Sequence, residues 1–313
     1  MDDAKHFEDF YNNKLLPLLP GVRAACRQSD GWGITAIIAG VLGFACFIGY
    51  HADVLSGEAA TLLFIFFAGL LVLSIYEYAK EKDNFTAAFK AAIIRNIMDD
   101  VCPGLEYKPD EYISPREYKY SSLYRYRYDY FDGDDLITGV INGVSFRCSE
   151  LHVQSDYAGN RQITVFKGLF FVAPINNRFT GGTYVWQRNR AQLATSIMDE
   201  DYRLLPMPHV GNVHFEDDHF NKCFRVCSTA PDEAHEICND AMRKKMLEVF
   251  TWLKGQVSFS FVAGKCYIAV PIVYDLLEPS DYDPGDKVEM SQYFVTIRLI
   301  ANMFRQLDLS SLQ

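Results

Sequence analysis

At 313 residues the chain is long enough for a membrane anchor plus one sizeable domain, or for two small domains. Nearly half of it is apolar (49%) and 14% is aromatic, a composition that suits sheet cores. Lys and Arg number 30 against 40 Asp and Glu, a net charge of −10 that argues against a nucleic-acid partner, which needs a basic stripe.

Residues 1–30 are acidic and mixed, with no basic start running straight into an apolar stretch, so no cleavable signal peptide is expected. Residues 3–19 read as an amphipathic helix with Phe7, Phe10, Tyr11, Leu15 and Leu18 on one face, weakened at its end by Pro17 and Pro20. Such a face lies on a membrane surface or packs on the main domain, and packing is the commoner use.

Between Asp30 and Asp53 no residue is charged, and the run passes from Trp32 through Ile34, Ile37, Val41, Phe44 and Phe47 to Tyr50. A second run, Ala59 to Tyr76, lies between Glu58 and Glu77. Each is roughly 18–20 residues, enough at about 1.5 Å per residue to cross a hydrocarbon core of about 30 Å. Both are apolar all round, whereas core helices of soluble domains are usually polar on one side. Trp32, Tyr50, Tyr76 and Tyr78 fall at the ends, where amphipathic rings prefer the interface. The expectation is a transmembrane hairpin over 31–78, with spans at about 32–50 and 59–76. Small residues four apart, Ala36/Gly40 and Ala45/Gly49, would let the two helices approach closely.

The linker His51 to Glu58 holds no Lys or Arg. Lys5, Lys14, Arg23 and Arg27 precede the hairpin, and Lys80, Lys82, Lys90 and Arg95 follow it. The positive-inside rule therefore predicts two passes with both termini cytoplasmic. Asn84-Phe85-Thr86 matches a glycosylation acceptor, but on this topology it never meets that machinery. Phe85, Phe89, Ile93 and Ile97 recur every four residues, so helix should continue as a stalk over 79–101 until Cys102-Pro103-Gly104 stops it.

Residues 102–313 read as a cytoplasmic domain. Tyr124 to Tyr130 alternates tyrosine with charge, as a half-buried strand does. Leu136–Ile141 and Val144–Val153 flank Asn142-Gly143, the strongest hairpin signal in the chain. A turn over 156–160 leads to a central strand at 163–175, and Thr183 to Trp186 is expected to follow it in an antiparallel meander. After a polar connection over 187–212, Phe220 to Ser228 alternates again. Helices follow over 231–238 and from Met242 to Leu253, the latter closed by Gly255. A second hairpin turns across Ala263-Gly264-Lys265, and a helix covers about 290–307. Strands and helices are segregated, so the class is α+β: a helical hairpin plus an antiparallel-sheet domain with packed helices.

Seven histidines and cysteines crowd one stretch: His209, His214, His219, Cys223, Cys227, His235 and Cys238. Zinc favours such ligands, but no pair has the Cys-x2-Cys spacing of a tight knuckle. Cys223 and Cys227, four apart on an expected strand, share a face and read as core. His235-Glu236-Ile237-Cys238-Asn239 misses the zincin pattern, because Asn239 stands where a second imidazole is needed. Asp129, Asp132, Asp134 and Asp135 around Gly133 depart from a calcium loop and match a solvated turn. The eight cysteines have irregular spacing and read as small buried hydrophobes in a reducing compartment rather than a disulfide framework. No nucleophile elbow, phosphate loop or dinucleotide fingerprint occurs. No cofactor or metal is therefore expected; His214, His219, Cys223, Cys227 and His235 are the residues that would serve if a metal were bound. Catalytic residues stay unassigned.

The chain resembles a bacterial two-pass inner-membrane family of unknown function. The resemblance rests on Phe10-Tyr11 with Pro17 and Arg23, the two spans, Gly133-Asp134-Asp135 with Gly139, and Ser149-Glu150-Leu151. It continues through Val165-Phe166-Lys167-Gly168-Leu169-Phe170-Phe171-Val172-Ala173, Phe220, Phe224-Arg225-Val226, Ser258-Phe259 and Tyr267-Ile268-Ala269. Members are often encoded beside LemA-type membrane proteins, which implies a shared membrane process and such a protein as a partner. It implies no reaction and no site residues. The function expected is a non-enzymatic scaffold or regulatory module at the cytoplasmic face of the inner membrane. The alternatives are a metal-dependent enzyme or sensor using 209–238, and a lipid-handling module. Besides the bilayer and a membrane-protein partner, a second copy of the chain is a possible partner; a two-helix hairpin alone is too thin to form a channel, so transport would require oligomers.

Overall fold

The computed structural model describes residues 2–52, 54–157, 161–175, 178–188, 210–280, 283–307 and 309–312. Its contacts divide into two units, residues 1–97 with 277–294, and residues 98–276 with 295–313.

The first unit is helical. Helix α1 (Asp2–Phe10) passes into a π-helical turn (Tyr11–Leu15), and helix α2 (Leu19–His51) begins after it. The continuous helix expected over 3–19 is thus broken near Pro17, which cannot donate the backbone bond that a helix interior requires. Pro20 then sits in the first turn of α2, where its missing N–H costs nothing. The apolar face of α1 packs on protein: Phe7 and Phe10 meet the ring of Phe294 at 5.4 and 6.1 Å, and the Tyr11 hydroxyl donates to the Gly285 carbonyl at 3.2 Å.

Helix α3 (Gly57–Phe89) starts at Ser56, whose extended backbone and Oγ, accepting from the Ala59 N–H at 3.4 Å, cap it. Helix then runs on through a π-helical turn (Lys90–Ile94) into α4 (Arg95–Val101), as the four-residue periodicity predicts. Lys90 is buried and pairs with Glu278.

The second unit is built on a sheet of nine described strands: β1 (Glu106–Lys108), β2 (Tyr130–Ile141), β3 (Val144–Tyr157), β4 (Arg161–Pro174), β5 (Thr183–Gln187), β6 (Gly211–Val213), β7 (Phe224–Ser228), β8 (Ser258–Val262) and β9 (Lys265–Pro271). Their order is β1-β2-β3-β4-β9-β8-β5-β7-β6, with every pairing antiparallel. Asn142 and Gly143 take positive φ (52° and 79°) between β2 and β3, as a two-residue hairpin turn demands. Ala263 and Gly264 do the same (54° and 69°) between β8 and β9, and Lys265 already pairs with Val262.

Both faces of the sheet are covered. On one, Tyr118 of α5 (Pro115–Ser121) meets Phe166 and Phe170 at 6.1 and 5.5 Å. On the other, Phe304 of α9 (Lys287–Leu307) stacks on Phe146 at 4.3 Å and meets Phe171 at 5.7 Å. Helices α6 (Asp218–Cys223), α7 (Pro231–Ile237) and α8 (Asp240–Trp252) complete the unit. Gly255 (φ 82°) closes α8 by donating to the Phe250 carbonyl at 2.7 Å.

Three expectations about strands need correction. The segment from Tyr124 to Asp129 forms no strand, with only an isolated bridge at Tyr126; β2 begins at Tyr130. Its rings pack instead, Tyr124 on Phe166 at 4.7 Å and Tyr128 on Phe131 at 5.5 Å, so ring burial rather than strand pairing explains the alternation. Residues from Phe220 to Cys223 are helical, because Asp217 caps α6 by accepting from the Phe220 N–H at 2.9 Å. The β8–β9 hairpin stands between β4 and β5, so β5 does not continue the meander. Residues 158–160 of the expected turn and 189–209 of the expected connection lie outside the described residues.

Candidate functional site

The surface with the plainest physical meaning is the outside of the α2–α3 hairpin. The two helices, Leu19–His51 and the continuous Gly57–Val101, are long and apolar enough to cross a membrane. Only 17% and 11% of their most apolar stretches are buried, whereas the core helix of a soluble domain is mostly buried. Ile37 (68% exposed), Val41 (62%), Leu62 (70%), Phe66 (62%) and Val72 (69%) all point outward. Apolar surface on this scale exceeds what soluble monomers present to water.

Small residues of α2 make the inner seam. An added Cβ at Gly33 would meet the Tyr78 ring at 3.3 Å, one at Gly43 the Cβ of Phe67 at 3.5 Å, and one at Gly40 the Leu71 side chain at 4.0 Å. Bulky groups of α3 thus seat over a glycine row, the arrangement that allows close approach in lipid. Of the four small residues singled out in the sequence, Gly40 lies on this seam. Ala45 is exposed, and Gly49 packs under Leu55 of the turn. Near that turn Phe47, Tyr50, Ala60, Thr61 and Phe64 border an open cleft of about 350 Å3.

The histidine–cysteine stretch is dispersed. His214 and His219 are exposed, and His235 is exposed with its ring edge-on to Phe215 at 4.8 Å. Cys223 ends α6, half-buried, and its thiol is raised by burial and then by Asp217. Cys227 is buried on β7, donating to Asn212 Oδ1 at 3.2 Å, so the two cysteines do not share a strand face. Cys238 is buried and pushed up to about 12 by burial, far from a thiolate ligand. Among the described residues, no three of these side chains bring ligand atoms within 4.8 Å of one another, and Asp129 and Asp132 join no such group. His209 lies outside the described residues. Asp129 instead accepts from the Asp156 N–H at 2.8 Å.

One titratable residue, Glu150, was assigned no role from the sequence. Glu150 of β3 is 6% exposed, and its Oε2 accepts from the Leu276 N–H at 3.0 Å. Burial pushes its carboxyl up to about 8; the Leu276 N–H opposes this, and Asp134, Asp135 and Asp275 add to it. Glu117 shows the contrast. Burial would raise it too, but a hydrogen bond from Lys265 and the charge of Arg147 hold it below the ordinary range. The signal for Glu150 was available: period two puts it on the face of Val144, Phe146 and Cys148, all buried.

Residues 164–309 match the model of a family described as "Protein of unknown function (DUF3137)". The match runs from β4 into the short 3-10 turn after α9, just under half of the chain, and leaves out the hairpin. No curated protein matches this chain. Among solved structures, the crystal structure of the mycobacterial trehalose monomycolate transport factor A, TtfA, is similar over 69% of this chain and 94% of that one, at 11% identity and a TM-score of 0.32. So loose a likeness carries no argument here.

Proposed function

We propose that the chain is a two-pass membrane-anchored interaction module of the bacterial inner membrane, with both termini and the sheet unit on the cytoplasmic side. The observation that carries this reading is the outward-facing apolar surface of α2 and α3, which lipid accommodates and water does not. At about 1.5 Å per residue the 33-residue α2 is about 50 Å long, so it outruns a core of about 30 Å at its cation-bearing end. Arg23 and Arg27 lie there, and Lys80 and Lys82 lie at the matching end of the α3 span, while the turn carries neither Lys nor Arg.

For the sheet unit we favour protein binding over chemistry. The described candidate ligands of 210–238 are spread over a loop, helix ends and a buried strand, which supports a scaffold over a metal enzyme. A LemA-type membrane protein is the partner to look for. Washing vesicles with alkaline carbonate should leave the chain in the pellet, and purification in mild detergent should recover a stoichiometric membrane protein. Release by carbonate removes the anchor from this account, and repeated recovery of the bare chain removes the partner.

A further inference from the structure

The segment 272–276 carries the chain out of the sheet unit, and Leu277 opens the stretch that belongs to the helical unit. Three contacts within the sheet unit tie it down. The Ile272 N–H donates to the Lys167 carbonyl at 2.8 Å, Lys167 Nζ pairs with Asp275 at 2.6 Å, and the Leu276 N–H donates to Glu150 Oε2 at 3.0 Å. The third rests on a carboxyl that is buried in the sheet.

We propose that Glu150 is a proton-operated latch on segment 272–276, closed while its carboxyl is neutral and loosened when it ionises.

The charges around Glu150 support this. From β2 it faces Asp134, its cross-strand partner, and Asp135; from the connector it faces Asp275. Lys167 of β4 is engaged by Asp275 at 2.6 Å. On β3 itself, burial holds the Cys148 thiol well above its ordinary range, so it stays neutral, and burial, with Lys167 adding, holds His152 below its own, which disfavours its cationic form. An ionised Glu150 is a better acceptor for the Leu276 N–H. However, burial and the three carboxylates outweigh that bond, and the group titrates near 8. Opening the segment returns the carboxyl to water and its ordinary range. Opening is therefore favoured as pH rises from about 4.5 towards 8, about tenfold per pH unit, and levels off above.

Amide hydrogen exchange of the full chain in detergent or nanodiscs, corrected for the intrinsic rate at each pH, reads this directly. The protection of Leu276 should fall about tenfold per unit between pH 5.5 and 7.5. Glu150→Gln keeps an acceptor and cannot ionise, so its protection should be independent of pH. Asp275→Asn removes one of the carboxylates, so its levelling-off point should move to lower pH. Flat protection in the natural chain, or an equal slope in Glu150→Gln, overturns the latch. Should Glu150→Gln fail to fold, an unmoved levelling-off point in Asp275→Asn overturns it instead.

Discussion

Gly43 of α2 lies against Phe67 of α3, with 3.5 Å between the place a Cβ would occupy and the Cβ of Phe67. That separation is ordinary van der Waals contact for one added methyl group. Gly43→Ala should therefore be near neutral, while Gly43→Leu should cost about 1–3 kcal/mol by overpacking the seam. Val41→Leu, on the exposed side, is the control. Thermal unfolding in detergent ranks the three, and equal melting of the two leucine variants would mean that the helices do not meet along this glycine row.

Phe304 bridges α9 to the sheet through Phe146 and Phe171. Phe304→Ala should destabilise the sheet unit by about 3–5 kcal/mol, the usual cost of a large core cavity. Chemical denaturation followed by fluorescence of Trp186 and Trp252 measures it. A loss under about 1 kcal/mol would show that this face is covered by something other than α9.

Asn239 caps α8 by accepting from the Met242 N–H at 3.1 Å, and Asp217 caps α6 in the same way. Asn239→Ala and Asp217→Ala should each cost about 0.5–2 kcal/mol. The second carries more information. If α6 depends on its cap, exchange protection over 220–223 should drop in Asp217→Ala while β7 stays protected.

The hairpin, the continuous helix after it, both tight β-turns and the Gly255 stop were legible because each rests on local chemistry: an uncharged run of fixed length, a four-residue period, or a residue that tolerates positive φ. The topology was not. Nothing near Thr183 announces that β8 and β9, some 75 residues later, will insert between β4 and β5. The Tyr124–Tyr130 segment misled because period two also arises when alternate rings lie down on a core without a ladder. Cys223 and Cys227 misled because a single capping carboxylate, Asp217, outweighs strand propensity over four residues. Glu150 was visible as a charge on an apolar strand face, but its partner Leu276 is 126 residues away.

The global stability of the sheet unit should carry the sign set by Glu150. Its folded-state value lies above the ordinary one, so the folded chain holds the proton more tightly. The contribution of Glu150 is then full below about pH 4.5 and is lost as pH rises towards 8. The loss amounts to a few kcal/mol in order of magnitude. Denaturation midpoints at pH 6 and 9 should differ in the natural chain and converge in Glu150→Gln; a difference that survives the substitution would assign the effect to another group.

Lipid around α2 and α3 is tested most directly by labelling of the turn between them. Val54, 77% exposed between the two helices, is replaced by cysteine and treated in intact spheroplasts with a membrane-impermeant maleimide. Cysteine at Asp240, exposed at the start of α8, serves as the comparison. Cysteine at 54 should react without opening the cells and cysteine at 240 only after lysis. Reaction at 240 in intact spheroplasts, with 54 protected until lysis, would contradict the topology outright.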